Sequence, residues 1–416
     1  MRNGRLLSCV LVVCALLAAC APSSSVRRSA SEPHALILIS IDGFRADYLD
    51  RNITPALADL AARGVRAQAM KSAFPTLTFP NHYTLVTGLY PDHHGIVNNR
   101  MVDPETRAKF VYKDHATITD PAWWGGEPVW VSAEKHGLHA ATMFWPGSDV
   151  AIADVRPTHW QMFDGTITPD QRVDQLLAWM DEPASTRASF FTLYFDQVDH
   201  AGHHSGPDSA EVDDALRSID AAMARLVAGL KQRKVYADTN VVIVSDHGMT
   251  ATSADRRTYL DDLVPLGDVD VINYGILAGI EPHAGKASSI EAALLLPHPH
   301  MHCWRKSDVP ARLHYGTHPR IPSLLCLADH GGNITSHGYE DDGGHYSAGE
   351  HGYDNDDPDM RALFVAAGPE FKRGVIVPEF DNVDVYPLLM HLLKLKPQPN
   401  DGDERAVAGM LADSPP

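Results

Sequence analysis

Cysteine is scarce in this 416-residue chain. There are five, and three of them (Cys9, Cys14 and Cys20) fall within the first twenty residues, which leaves Cys303 and Cys326 for the body. Two cysteines cannot form a thiolate cage for a structural metal. In an exported chain a single disulfide is the favoured reading of the pair, with two separate buried thiols as the other. Positive charge is also short: 35 Lys and Arg stand against 53 Asp and Glu, a net −18. With no basic patch, this argues against docking on nucleic acid. It leaves room for a small phosphorylated substrate, because a bound cation would reverse the local potential. After residue 20 no apolar run is long enough to span a bilayer, which excludes a transporter. No internal repeat occurs. No G-x-S-x-G elbow surrounds Ser72, so a serine-hydrolase triad lacks its characteristic turn there.

What is present begins with an export signal. "MRNGRLLSCVLVVCALLAAC" carries Arg2 and Arg5, an apolar run from Leu6, and small residues ending at Cys20. This is the layout of a secretory signal, too short and wrongly flanked for a retained membrane helix. Its last four residues, Leu17 to Cys20, resemble the lipobox of bacterial lipoproteins, which implies lipidation at Cys20; an ordinary cleavage site is the alternative. The expected organisation is a signal with lipobox at 1–20, a polar tether at 21–33, one catalytic domain at 34–400 and a C-terminal tail at 401–416. The expected location is the periplasmic side of the envelope. It is lipid-anchored there, with the outer membrane favoured because Ala21, not Asp, follows the cysteine. Without a working lipobox the protein would be secreted.

Four short apolar runs end at polar, glycine-bearing turns: Ala35 to Gly43, Ala188 to Asp199, Asn240 to Gly248 and Arg361 to Gly368. These are expected to be buried strands. Between them lie helical patterns. "TPALADLAARG" has Pro55 just inside its start and Gly64 just past its end. "SAEVDDALRSIDAAMARLVAGL" puts Val212, Leu216, Ile219, Met223, Leu226 and Leu230 on one stripe, with Ser209 as cap. The alternation predicts an α/β fold, a mostly parallel sheet with helices on both faces, and a long excursion between about residues 250 and 350.

Asp42, Asp199 and Asp246 fall at or just beyond the ends of three predicted strands, where open α/β sheets bind ligands. Singly, Asp42 and "SDHG" (Ser245 to Gly248) read as turns and "DHAGHHSGP" (Asp199 to Pro207) as a histidine-bearing loop. Together they bring carboxylates and imidazoles to one face, a donor set that suits a divalent ion such as zinc. The "HAG" between Asp199 and His203 is expected to form a turn that aims both at one ion. "SAFPTLTFPNHYTLVTG", Ser72 to Gly88, supplies hydroxyls, and threonine needs an activator. Two ions would provide it, one lowering the pKa of the threonine oxygen and one neutralising the leaving oxygen, as in in-line displacement at phosphorus.

In order, "ISIDGF", "AFPTLTFPNHYTLVTGLYPDHHGIVNN", "DQVDHAGHHSGP", "VVIVSDHGM" and "GEHGYDN" resemble the successive motifs of the nucleotide pyrophosphatase/phosphodiesterase family, of the alkaline phosphatase superfamily. The likeness runs from about Ala35 to Leu393. It implies an alkaline-phosphatase-like fold, two Zn²⁺ per chain and hydrolysis of nucleotide phosphodiesters through a covalent nucleotidyl-threonine. Matched by position, Thr78 is the nucleophile. Asp42, Thr78, Asp246 and His247 hold one zinc, and Asp199, His203 and His351 hold the other. Asn99 steadies a non-bridging phosphate oxygen. Phe79 packs on a base, and so does Phe163, at a position that is often tyrosine in the family. Thr76 and Thr84 are expected to be structural hydroxyls, and His200, His204 and His345 to lie outside the ligand set. "HPHMH" (His298 to His302) is expected to be a loop edge rather than a metal site. Partners are then a small nucleotide or diester and, through the N-terminal lipid alone, a membrane. Cleavage of lysophospholipid or choline diesters by the same mechanism is the nearest alternative. The lack of arginine in Ser72–Gly88 disfavours a monoesterase, and a non-catalytic metal-binding lipoprotein is the reading from another class.

Overall fold

The computed structural model describes residues 33–341 and 347–412. Eight strands form the central sheet: β1 (Ala35–Ile41), β2 (Val65–Ala67), β3 (Ala140–Met143), β4 (His159–Gln161), β5 (Phe190–Phe195), β6 (Thr239–Val244), β7 (Phe364–Ala367) and β8 (Val375–Val377), in the order β8-β2-β7-β6-β1-β5-β3-β4. All run parallel except β7, which is antiparallel to both of its neighbours. The expected mostly parallel α/β sheet is what forms. All four strand expectations land on it, although the second stops at Phe195 rather than reaching Asp199.

Period-two alternation in β1 explains the layering. Leu36 and Leu38 belong to the core on one face, and Ile37, Ile39 and Ile41 to the core on the other, all fully buried. Each such side chain contributes roughly 1.5–3 kcal/mol when removed from water. Among the helices that pack around the sheet are α1 (Pro55–Arg63), α2 (Thr78–Thr87), α3 (Pro169–Met180), α4 (Gln197–Ser205), α5 (Ala210–Gln232) and α6 (Val385–Leu392). The second core takes α1, α3 and the whole predicted stripe of α5, while α2 and α6 fill the first.

Ser209 caps α5, its Oγ accepting from the Val212 N–H at 3.3 Å. Asp220 on α5 caps α1 from outside, accepting from the Ala56 and Leu57 N–H groups at 3.0 and 2.8 Å. Gly64 ends α1 because the chain there touches β7; a Cβ would stand 2.0 Å from the Ala366 carbonyl oxygen.

The excursion after residue 250 folds into a four-stranded antiparallel sheet, Val269–Asn273, Leu277–Pro282, Leu324–Ala328 and Met301–Arg305 in spatial order. Leu277, Ile280, Leu324 and Leu327 join the same core as Leu36 and Leu38, so the excursion is packed onto the sheet rather than hanging from it. Cys303 and Cys326 face each other across two of these strands and are joined by a disulfide. His298, His300 and His302 sit at this strand's start and fall in no metal-competent group of the described residues.

The disulfide closes a loop with a sequence separation of 23, which predicts a stabilisation of about 3 kcal/mol by the loop-entropy estimate. Urea unfolding of a Cys303→Ser/Cys326→Ser double variant should show that loss. An unchanged midpoint would mean that the bond adds nothing to this sheet.

Candidate active site

The pocket lies at the C-terminal edge of the sheet. Asp42 follows β1 directly, and Asp246 comes two residues after β6. Asp199 is in the first turn of α4, which corrects the expectation of a turn at "HAG": those residues continue a helix that begins at Gln197, so Asp199 and His203 are i and i+4 on one face. Thr78 is the first residue of α2. His351 returns from the excursion just after the short strand Gly349–Glu350, which pairs with Thr250–Ala251 beyond His247. Gly248 holds these loops together, for a Cβ there would meet the Asp359 carbonyl oxygen at 1.9 Å.

The three imidazoles are held alike. His247 Nδ1 donates to the Gly248 carbonyl at 2.9 Å, His351 Nδ1 to the Thr76 carbonyl at 2.8 Å, and His203 Nδ1 to the Gly349 carbonyl at 2.8 Å. A carbonyl can only accept, so each Nδ1 carries the proton and each Nε2 turns a lone pair inward. Those lone pairs meet more acceptors. His247 Nε2 is 3.3 Å from Asp42 Oδ1 and 3.0 Å from Asp246 Oδ2; Asp199 Oδ1 lies 3.4 Å from His203 Nε2 and 3.6 Å from His351 Nε2. Asp42 Oδ1, Asp199 Oδ1 and Asp246 Oδ2 are all buried without a hydrogen-bond partner. Buried acceptors arranged this way are satisfied by cations, and the donor set fits them. The tightest groups are Asp42, Asp246 and His247, and Asp199, His247 and His351, with His247 common to both. His203 stands at the outer side of the second, its ring 5.0 Å from that of His351.

The charges show acids and imidazoles competing for protons where a cation would replace them. Burial works against charged His247 and His203, but Asp246 beside the first and Asp199 and Glu350 beside the second outweigh it and raise both. Burial, then the carboxylates of Asp246 and Asp199, push the Asp42 pKa well up. Burial also works against ionised Asp246, but His247 and His82 outweigh it and hold that carboxyl well below its usual range. Burial lowers His351 strongly, reinforced by His247 and His203, which keeps its Nε2 free as a ligand atom.

Thr78 Oγ1 is 3.3 Å from His247 Nε2, inside this group. Asn99 accepts from the Phe79 N–H with its Oδ1 at 3.0 Å, which leaves its amide N–H₂ as the donor end. Phe79 packs edge-on against Phe110 and Tyr112, at 5.8 and 5.9 Å between ring centres. Phe163 is 51% exposed and stands edge-on to Phe144 and Tyr194. Thr76 and Thr84 are structural, as expected: Thr76 Oγ1 donates to the Tyr353 carbonyl and accepts from Gly352, and Thr84 bonds His94. His200 and His204 are exposed. Cys20 and His345 lie outside the described residues.

Three residues of the pocket were not singled out from sequence. Tyr194 donates to Asp42 Oδ2 at 2.7 Å, Glu350 lies 3.6 Å from His203 Nδ1, and His82 is buried beside Asp246. Only His82 had a usable signal, its position one helical turn after Thr78. A further group, His330, Asp357 and Asp359, is already engaged internally and by Arg45 and Thr250.

Residues 36–354 match the family model described as type I phosphodiesterase / nucleotide pyrophosphatase. The chain is 38% identical over 392 residues to mouse ectonucleotide pyrophosphatase/phosphodiesterase family member 3, covering 90% of this chain and 44% of that protein. It is 38% identical over 381 residues to an uncharacterised pyrophosphatase/phosphodiesterase of Schizosaccharomyces pombe, covering 88% of this chain and 78% of the relative. The chain thus spans about half the length of most of the curated relatives it matches. Among solved structures, murine ectonucleotide pyrophosphatase/phosphodiesterase 5, an inactive threonine-to-alanine form in complex with AMP, superposes with a TM-score of 0.87 at 32% identity. That likeness covers 91% of this chain and all of that one.

Asp42→Asn removes a mutually repelling buried charge while keeping an acceptor for Tyr194. In chelator the variant should therefore be more stable than the parent, and increasingly so as rising pH forces Asp42 of the parent to ionise. Added Zn²⁺ should raise its melting temperature less than it raises the parent's. A variant that is weaker in chelator and fully responsive to Zn²⁺ contradicts the cation-pocket reading.

Proposed function

The chain belongs to the type I phosphodiesterase / nucleotide pyrophosphatase family, and we propose that it hydrolyses phosphodiester and pyrophosphate bonds of nucleotides with Thr78 as nucleophile and two zinc ions as cofactors. One observation carries the proposal: a threonine hydroxyl lies 3.3 Å from His247 Nε2, within a cluster of three Nε2 lone pairs and three unpartnered carboxylate oxygens. Asp42, Asp246 and His247, with Thr78 itself, would hold one ion, and Asp199, His203 and His351 the other. When bound, the ions supply charge for the developing oxyanions and lower the pKa of the attacking hydroxyl and of water.

The residues then divide the work. Thr78, at the positive end of α2, gives up its hydroxyl proton and attacks phosphorus in line. The bond from phosphorus to the leaving oxygen breaks, the alcohol or phosphate beyond it departs with a proton, and a nucleoside monophosphate is left esterified to Oγ1. Water on the opposite face releases the nucleotide and restores the hydroxyl. Asn99 offers its amide N–H₂ to a non-bridging oxygen. Phe79 and the exposed Phe163 flank the base. That a solved relative binds AMP and is inactive with one threonine changed to alanine supports both the substrate class and the nucleophile. Export and lipidation at Cys20 complete the proposal and put the enzyme on the periplasmic side of a membrane; none of the described helices is long and apolar enough to cross one.

Thr78→Ala should lower turnover of p-nitrophenyl thymidine monophosphate by more than about a thousandfold with the fold and most of the zinc retained. Near-parental rates would remove Thr78 from the mechanism. The parent should prefer that substrate to p-nitrophenyl phosphate and to p-nitrophenyl phosphorylcholine, and lose activity together with about two zinc per chain on chelation. Preference for the phosphorylcholine diester would move the substrate to lipids. Cys20→Ser should shift the protein from the membrane fraction to the soluble one, and unchanged fractionation would refute the anchor.

A further inference from the structure

His82 is the buried polar group of the pocket that has no part in the reaction above. It sits one turn after Thr78 in α2 and has no exposed surface. Its Nδ1 is 2.9 Å from the Thr78 carbonyl oxygen and 3.2 Å from Asp246 Oδ2, and its Nε2 is 2.8 Å from Ser40 Oγ on β1. Because the carbonyl can only accept, Nδ1 carries a proton. The N–H is aimed at the carbonyl, and Asp246 Oδ2 lies beside it with no hydrogen bond of its own, close enough to feel the N–H dipole and still uncommitted. Trp145 and Tyr194 hold the ring edge-on at 5.1 and 5.2 Å, and the Trp145 indole N–H donates to the His82 carbonyl at 3.0 Å. The imidazole has one orientation.

We propose that His82 is a positioning residue whose Nδ1–H holds the Thr78 carbonyl and turns its positive edge towards the carboxylate of Asp246, so that one ring sets the spacing of the two. The nucleophile and a cation ligand reach the pocket on different elements, α2 and the loop after β6, and His82 touches both. Ser40 ties the far side of the ring to β1, the strand that leads directly into Asp42, so three contributors to the pocket are set by one side chain. The inference rests on the roles proposed for Thr78 and Asp246. A packing role would need only a ring of this size; a positioning role needs a donor at the place of Nδ1.

The test uses the full mature chain and two amides. Asn puts its N–H₂ near the Nδ1 position, and Gln puts it near Nε2. His82→Gln should weaken Zn²⁺ binding, measured against a chromogenic chelator, by about 10–100-fold and lower kcat on p-nitrophenyl thymidine monophosphate more than it changes KM. His82→Asn should restore most of both. Ser40→Ala, which removes one oxygen and carries the test should His82→Gln not fold, should move the same quantities in the same direction by less. Equal impairment in Asn and Gln, or parental Zn²⁺ affinity and kcat in Ser40→Ala, overturns the proposal. Because Zn²⁺ affinity is read without turnover, failure here is distinct from failure of the nucleophile assignment, which Thr78→Ala decides.

Discussion

Acceptors face acceptors at the end of this sheet, and the rest of the molecule is arranged around that fact. Three carboxylate oxygens without a hydrogen-bond partner and three imidazole Nε2 atoms cluster here, with the Thr78 hydroxyl 3.3 Å from one of the nitrogens. A low-dielectric site of this kind is held together by positive charge. The backbone carbonyls of Gly248, Thr76 and Gly349 decide which imidazole nitrogen is left over, so main-chain geometry sets the chemistry of the ligand atoms.

That geometry depends on the sheet. Parallel strands deliver Asp42 and Asp246 to the same edge from adjacent positions, since β1 and β6 are neighbours, and β5 on the other side of β1 leads into the helix that carries Asp199. Thr78 and His351 do not come from strand ends of the central sheet and must be brought in by packing. Thr76 does this for both: its carbonyl holds His351, its hydroxyl joins Gly352 and Tyr353, and two residues later the chain enters α2 at Thr78. The unremarkable threonine of the motif is therefore the joint between the segment of Thr78, the proposed nucleophile, and the loop of His351, a proposed cation ligand.

Much of this was legible in the sequence, and for identifiable reasons. Asp42 and Asp246 follow runs of buried β-branched residues, so the edge on which they lie is implied by the runs themselves. The stripe of α5 is long and regular enough that its buried face could be read residue by residue. Asp199 was placed correctly but in the wrong element, because the apolar run from Ala188 hides the point at which extended chain gives way to helix after Phe195. The four-stranded sheet of the excursion was barely legible: its strands are short, two of them form a hairpin without a marked turn signal, and the others meet across longer separations at which only the Cys303–Cys326 pair hinted. His82 and Tyr194 escaped notice because a lone histidine in a helix and a tyrosine in a strand are ordinary core residues until their polar atoms are seen to reach Thr78, Asp246 and Asp42.

The pocket also has a chronology. Its proposed ligands run from Asp42 to His351, a separation of 351 − 42 = 309 residues, and the last of them is fixed only after the excursion has packed and Gly349–Glu350 has paired beyond His247. Contacts that distant are among the last to form as a chain folds. An incompletely folded chain carries scattered carboxylates and histidines, and no strong cation site. On the proposed assignment, completion of the cation site coincides with completion of the fold, and metal loading would report finished folding.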